Sequence, residues 1–380
     1  MMSNGRRPLS NEHVQATGQW IADRQEAGGV LPWVPGGKFD PWDHVHAAMG
    51  LTLVRRLEEA RAAFRYLETI QEANGAWVAE WNGSEIVDGT FQTNHAAYLA
   101  TGLWHYHLAT NDTDFLAEMW PTVRRGIDFV VENQQPCGAI AWAVNPVGKP
   151  WTDPLVTGSS SVHGSLVCAI RMAEFLDHDA TSWRSARERL AHVIRHDIAR
   201  FEDVDFPNGG PGRHSMDWYY PILGGALRGA TARIRLQDQD QIDSFIEEGV
   251  GCRCVIENPW YTVAETCELV LALDAVGLST RAEQVLSWVQ PLRTEAGGYW
   301  TGVTHPDRIY YPEGEQTPWT AATVLLAADA LADETATASF FRDLAGDDLG
   351  EGVQESEAVQ ADSEEVDEGD IAASGIEANP

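Results

Sequence analysis

Six stretches of this chain share one form: a Gly- or Trp-rich loop, a few polar and aromatic residues, then an apolar helix of small side chains. They are PWDHVHAAMGLTLV from Pro41, QTNHAAYLATGLWHYHL from Gln92 and SSVHGSLVCAIRMAEFL from Ser160. The other three are DWYYPILGGALRGAT from Asp217, WYTVAETCELVLALDAV from Trp260 and TPWTAATVLLAADAL from Thr317. Their starts lie 43 to 68 residues apart, which leaves room each time for a helix pair and its loops. Repeats of that length signal stacked helical units. Between them run longer amphipathic stretches, such as ARAAFRYLETIQE and WRSARERLAHVIRHDIARF, with apolar positions at three- and four-residue spacing. Almost nothing alternates with period two, so little sheet is expected.

The small-residue helices suit tight inner packing and the charged ones suit an outer ring. Distinct polar caps are missing at both ends of the series, which favours closure over an open solenoid. The expected fold class is therefore all-α, an (α/α)6 toroid spanning residues 1–345. Residues 346–380 hold 12 acidic residues, no basic ones and no aromatics. They are expected to be a disordered acidic tail. Closure has a consequence for function. The inner helices then run the same way, and their amino ends ring one mouth. Each end offers unpaired N–H groups and a positive dipole. The residues there, with the loops before them, should line one shared pocket.

Composition narrows the partners. The 380 residues carry a formal charge of −31, and Lys38 and Lys149 are the only lysines. An acidic, lysine-poor surface is the composition of a protein kept soluble in high salt, although a GC-rich genome yields the same arginine bias. It speaks against nucleic acid, whose phosphates need clustered cations. The five cysteines, Cys137, Cys168, Cys252, Cys254 and Cys267, show no disulfide-framework spacing and fit a reducing compartment. Cys252-Arg253-Cys254 has no partner pair, so zinc is a weak reading, and no cofactor is expected. No apolar run reaches the roughly 20 residues of a membrane span. The first residues carry no hydrophobic signal region, so a cytoplasmic location is expected.

The residues at the six helix starts are rich in the types that bind sugars. Aromatic faces stack on pyranose rings, while carboxylates, amides and arginine bind hydroxyls. Trp42, Asp43, His44, Asn94, His95, Trp151, His163, Asp217, Trp218, Arg253, Glu257, Trp260 and Trp319 are the candidate substrate contacts. Asp40, Asp153, Arg213, Glu265, Glu313 and Glu315 extend the polar set. Any one of them taken singly reads as a helix cap; their concentration at equivalent positions does not.

Two segments carry a resemblance. RCVIENPWYTVAETCELVLAL, from Arg253, resembles the stretch of glucoamylases (glycoside hydrolase family 15) in which an arginine precedes a Gly-Asn-Pro-Trp-Phe-type turn into an inner helix. Glu315-Gln316-Thr317-Pro318-Trp319-Thr320-Ala321-Ala322 is similar to that family's Glu-Gln followed by Trp-Ser/Thr-x-Ala-Ala. The resemblance implies a substrate-holding Arg253, a substrate-binding Asp43 and Glu315 as the base that activates water. For the acid it offers Asp153, after Trp151, in place of the family's Trp-Glu-Glu. The implied chemistry is inverting hydrolysis by two carboxylates.

Small cytoplasmic relatives of this kind resemble haloarchaeal proteins of surface-layer glycoprotein N-glycosylation. That implies a sugar conjugate, including a lipid-linked glycan, as substrate. Three other readings remain. A sugar epimerase or isomerase on the same barrel would move protons with His44, His46, His95 and His163. A glycan-binding protein would have lost its acid. A prenyltransferase or terpene cyclase would share the toroid but lacks its zinc triad or DxDD motif here.

Overall fold

The structure is a computed structural model that describes residues 8–151, 153–198, 201 and 212–346. Its helices begin with α1 (Asn11–Ala22), α2 (Pro41–Leu53), α3 (Leu57–Thr69), α4 (Thr93–Thr110), α5 (Thr113–Glu132), α6 (Val156–Phe175) and α7 (Thr181–His196). They continue with α8 (Ser215–Leu223), α9 (Gly229–Leu236), α10 (Gln239–Phe245), α11 (Val263–Ala275), α12 (Ser279–Val289), α13 (Pro318–Ala332) and α14 (Phe340–Gly346). The six repeated segments are α2, α4, α6, α8, α11 and α13. Each packs on the next in that order, and α13 packs on α2, so the ring is closed. The fold is an (α/α)6 toroid.

Small residues make the inner ring possible. A Cβ on Gly50 of α2 would stand 2.7 Å from the Ala322 Cβ of α13, and one on Gly102 of α4 would stand 2.5 Å from Val45 Cγ1 of α2. Contacts that short leave no room for a larger side chain. The inner helices are buried on nearly every side, and that all-round burial explains their unbroken apolar sequence.

The two ends of the ring are built differently. Within two residues of each inner helix's end stands a residue of positive φ: Arg55, Asn111, Asp177, Gly225, Gly277 and Asp333. A left-handed residue stops a helix and reverses the chain at once. After five of these helices an outer helix begins within six residues. At this carboxyl end α14 packs against α6, α8 and α11. Phe340 meets His105 edge-on at 5.3 Å and Arg342 bonds Asp274 at 2.7 Å, so α14 stops that end of the ring.

At the amino end the links are long. Four of them open with the same turn, in which Glu26 donates to the Val30 carbonyl and Gly29 to that of Glu26. The pattern recurs at Glu72 and Gly75, at Gln135 and Gly138, and at Thr294 and Gly297. Each of these glycines has positive φ. A Cβ on Gly75 would lie 2.3 Å from the Arg125 carbonyl oxygen of α5, and one on Gly297 2.6 Å from that of Ala16 in α1. The latter contact closes the outer ring, reinforced by the Thr17 hydroxyl donating to the Gly297 carbonyl. Gln25, Gln71 and Gln134 tie the other three turns to α3, α5 and α7, each amide donating to two carbonyls.

All nine described strands lie in these mouth links and are two to four residues long. β1 (Lys38–Phe39), β2 (Glu80–Asn82) and β3 (Glu85–Asp88) form one antiparallel sheet, in the order β1-β2-β3. β4 (Phe91–Gln92) pairs with β5 (Ala143–Val144). β6 (Ile246–Glu247), β7 (Gly251–Arg253), β8 (Trp260–Thr262) and β9 (Gly302–Thr304) form the third sheet, with Trp260 opposite Thr304. Among the described residues no helix is long and apolar enough to cross a membrane. The expected acidic tail, from residue 347 on, lies outside the described residues.

Candidate active site

A cavity of about 380 Å³ opens at the amino end of the inner ring. Its lining comes from the starts of α2, α4, α8, α11 and α13 and from the links before them. Four tryptophans wall it: Trp33, Trp42, Trp260 and Trp319. Trp33 and Trp319 stack at 6.3 Å, while Trp42 meets His95 edge-on at 6.3 Å. Volume and apolar lining with a few convergent polar groups are those of a small-ligand site. A hollow of about 260 Å³ at the other end, between α1 and α13, is a poor rival. Its Asp329 carboxylate is already occupied by the hydroxyls of Thr335 and Thr337.

The polar side of the cavity is carboxylate-rich. Asp40 caps α2, accepting from the Asp43 N–H at 2.9 Å and from the Trp33 indole N–H at 3.2 Å. Lys38 stands over the Trp33 ring at 3.8 Å and pairs with Glu80 at 3.1 Å. Burial alone would lower the Lys38 pKa, but Asp40, Asp43 and Glu80 outweigh it and raise it. Asp43 is the unusual group. Burial, and then the neighbouring Asp40, hold its carboxyl well above the ordinary aspartate range, against the opposing pull of Lys38. A raised carboxyl is the property a proton donor needs.

Glu265 enters from α11 and is almost fully buried. Thr262 is the N-cap there, so Glu265 stands in the first turn, where free N–H groups and the dipole suit an anion. The Cys254 thiol, held protonated by burial and by the adjoining Glu265 charge, bonds that carboxylate. One turn deeper, Glu268 accepts from the Tyr219 and Tyr220 hydroxyls at 2.9 and 2.7 Å. Burial pushes its carboxyl up to about 8. α2 and α11 flank α13 on either side, so Asp43 and Glu265 reach the cavity from different walls. Among the described residues no group of three or more His, Cys, Asp or Glu side chains is placed to hold a metal ion.

No family model matches the chain. Over 346 residues it is 44% identical to the MMP endo-(1,4)-3-O-methyl-α-D-mannosidase of Mycolicibacterium hassiacum, a match covering 91% of this chain and 92% of that protein. The chain belongs to that enzyme's family. Solved structures similar to it include a glycosidase, with TM-score 0.64 and 15% identity over 84% of this chain and 96% of that one. A D-mannose isomerase has TM-score 0.67 and 9% identity, over 88% and 99%. These two are likenesses of fold. The member of the mannosidase family described here is thus a glycosidase-like enzyme acting on sugars.

Within this mannosidase-family chain, seven of the residues singled out from sequence line the cavity: Asp40, Trp42, Asp43, His95, Trp260, Glu265 and Trp319. The others stand elsewhere, for reasons the contacts make plain. His44 is fully buried, its Nδ1 accepting from the Leu31 N–H and its Nε2 facing the Ala63 carbonyl. His163 is likewise buried, with Nδ1 on the Gly224 carbonyl. Burial lowers their pKa values to about 4 and about 3. Trp218 is core, donating to the Arg235 carbonyl and stacked on Phe245.

Asp217 is engaged by the Thr157 hydroxyl. Arg253 donates to the Ile256 carbonyl and the Tyr261 hydroxyl, and Glu257 pairs with Arg213 on the surface. Trp151 packs edge-on against Trp142 at 5.0 Å, and Asn94 is buried with its Oδ1 unbonded. Asp153 accepts the Trp142 N–H on its backbone carbonyl and is not part of the cavity lining. Glu315 is beside the wall rather than in it, its backbone carbonyl bonded by the Thr301 N–H and its Oε1 buried without a partner.

The resemblance points to Glu315 as the base, whereas Glu265, one of the other polar candidates, lines the cavity. A signal for Glu265 was present. Counting from the N-caps Asp40, Gln92 and Thr262, the third helical residues are Asp43, His95 and Glu265. All three line the cavity. The ring's near-symmetry brings the same helical register to the same place.

Proposed function

We propose that this protein is an inverting endo-α-mannosidase acting on (1,4) linkages of a chain of 3-O-methyl-α-D-mannose units. The observation that carries the reading is that Asp43, whose carboxyl burial and Asp40 raise well above the ordinary aspartate range, shares one tryptophan-walled cavity with Glu265. In this reading Asp43 gives its proton to the glycosidic oxygen as that bond breaks. Glu265 takes a proton from a water that attacks the anomeric carbon from the opposite face. The product's anomeric configuration is inverted; Glu265 then releases its proton to solvent and Asp43 takes one up, which restores both groups. Asp40 fixes the Asp43 backbone and disfavours its ionised form. The identity with the mannosidase supports the linkage and the sugar. The apolar walls support it too, since a methyl ether presents a surface without a hydrogen-bond donor. Asp43 and Glu265 are preferred to Asp153 and Glu315 because they line the cavity.

Purified protein incubated with a 3-O-methylated α-(1,4)-mannan and followed by NMR is expected to release new reducing ends that first appear in the β configuration. Absence of new reducing ends defeats the reading, as does first appearance of the α anomer for the inverting mechanism. Loss of activity in Glu315→Gln but not Glu265→Gln would move the base to Glu315. An isomerase reading has less support: of His44, His46, His95 and His163, His95 alone lines the cavity among the described residues.

A further inference from the structure

The cavity has two unlike sides. One is built from α2, α4 and the β1–β2 pairing, and it carries Lys38, Asp40, Asp43, Glu80, Gln92 and His95. The other is built from the starts of α8, α11 and α13 and from the third sheet. There the Cys254 N–H donates to the Trp260 carbonyl and extends the β7–β8 pairing. Cys254, Trp260 and Thr262 therefore share one face of the sheet, and all three line the cavity. The Ser215 N–H donates to the Cys254 carbonyl, which brings Met216 of α8 to the same corner. The polar atoms of this side are already used or covered. The Trp260 indole N–H donates to the Tyr311 carbonyl at 2.9 Å, and the Thr301 hydroxyl to the Glu315 carbonyl at 3.3 Å. The Thr262 hydroxyl and the Trp319 indole N–H are buried. The Cys254 thiol, a weak donor, is turned to Glu265. Glu265 apart, a sugar hydroxyl on this side would give up its bond to water and find no partner, at a cost in free energy.

We propose that Met216 and Cys254 form the pocket for an ether methyl of the sugar and so determine specificity for O-methylated over unmethylated substrate. The inference rests on the mannosidase reading and deepens it. A methyl ether brings no donor to be left unpaired, and its methyl group gains by leaving water. Thioether and thiol are polarisable, and the unbranched Met216 side chain adjusts to the methyl's position. Met216 is half-buried in the first turn of α8, so exchanging it does not open the core. The opposite side keeps carboxylates, an amide and a cation for the hydroxyls that remain on the sugar. One ring with a methylated and an unmethylated edge thus meets a matching wall on each side.

Steady-state hydrolysis of a 3-O-methylated α-(1,4)-manno-oligosaccharide is compared with that of its unmethylated counterpart, in wild type, Met216→Gln and Met216→Leu. Wild type is expected to favour the methylated substrate in kcat/KM. Met216→Gln sets an amide of similar length in the corner and should cut that preference about tenfold, chiefly by raising KM for the methylated substrate. Met216→Leu keeps an apolar side chain and keeps the preference. Equal shifts on both substrates, or none on either, overturn the pocket. Calorimetric binding of the two oligosaccharides to Glu265→Gln, with and without Met216→Gln, reads the corner without turnover. A methylated ligand held about tenfold tighter, with the difference lost on Met216→Gln, supports the pocket; equal Kd values for the two ligands overturn it. That discrimination in binding, with no reducing ends released by wild type, would sink the glycosidase reading and leave the pocket standing. Equal hydrolysis of both substrates by wild type would do the reverse.

Discussion

The amino and carboxyl ends of the ring are made from the same six helices and have opposite characters. At the carboxyl end left-handed residues turn the chain back within a few positions, and α14 packs across the inner helices. At the amino end the links and the helix starts they lead into carry three small sheets, four cavity tryptophans and the carboxylates of Asp40, Asp43, Glu80 and Glu265. Short turns leave little sequence free for anything but connection. Long links supply side chains from several directions to one place, and the helix amino ends they lead into add N–H groups and positive dipoles. One end of the toroid holds the ring together and the other carries the candidate site.

Substitutions at the two ends should therefore separate activity from stability. Asp43→Asn and Glu265→Gln are expected to lower kcat by roughly 10³-fold or more while leaving the melting temperature level or higher, since each removes a buried charge or its neighbour's repulsion. A melting temperature that falls with activity would make these residues structural.

The pH dependence of stability should run in opposite directions for Glu268, beneath the mouth, and His163, bonded to Gly224 at the far end. The Glu268 carboxyl titrates at about 8 in the folded chain, above its unfolded value. Its stabilising contribution is complete below about pH 4.5 and is lost as pH rises through 8, at about 1.4 kcal/mol per pH unit. The His163 imidazole titrates at about 3, below its unfolded value. Its contribution is complete above about pH 6.5 and is lost as pH falls toward 3, at a similar rate. Melting curves across pH, for wild type against Glu268→Gln and against His163→Asn, isolate each slope. A difference that does not change with pH would remove that group from the linkage.

Gly75→Ala puts a Cβ against the Arg125 carbonyl at a residue of φ 89°. It should cost about 2–4 kcal/mol of stability by denaturant unfolding. A loss below about 0.5 kcal/mol would mean that the turn yields easily. Trp319→Ala, at the cavity wall, should raise KM about tenfold through lost stacking; an unchanged KM would place the sugar elsewhere. The smallest effect is expected at the rim. Glu257→Ala removes an exposed ion pair with Arg213 and should leave the melting temperature unchanged; a measurable fall would show that the pair holds the rim together.

Much of the ring could be read directly. Small-residue apolar runs marked all six inner helices, because a helix buried on every side needs neither a polar face nor large side chains at its crossings. The observed starts differ from the sequence boundaries by at most a few residues, most at α6, which begins at Val156 rather than Ser160. The repeated glycine turns at Gly29, Gly75, Gly138 and Gly297 were also in the sequence but spoke only once their hydrogen bonds were known. The site was legible by neighbourhood rather than by residue. Trp42 and Asp43 look into the cavity, while His44, the next residue, is bonded to Leu31 and Ala63. The α-helix turns about 100° at each position, so neighbours at a helix start face different surroundings.

The order of apolar and polar residues along the chain was enough to determine six helical hairpins and the end at which their chemistry gathers, since periodicity and side-chain size act locally. Membership of the cavity was decided in three dimensions. It depends on where α11 and α13 stand beside α2 once the ring has closed, and on strand pairing that brings the links carrying Trp260 and Thr301 to the same mouth. Each of those sums contacts from segments far apart in sequence, and no local pattern carries their total.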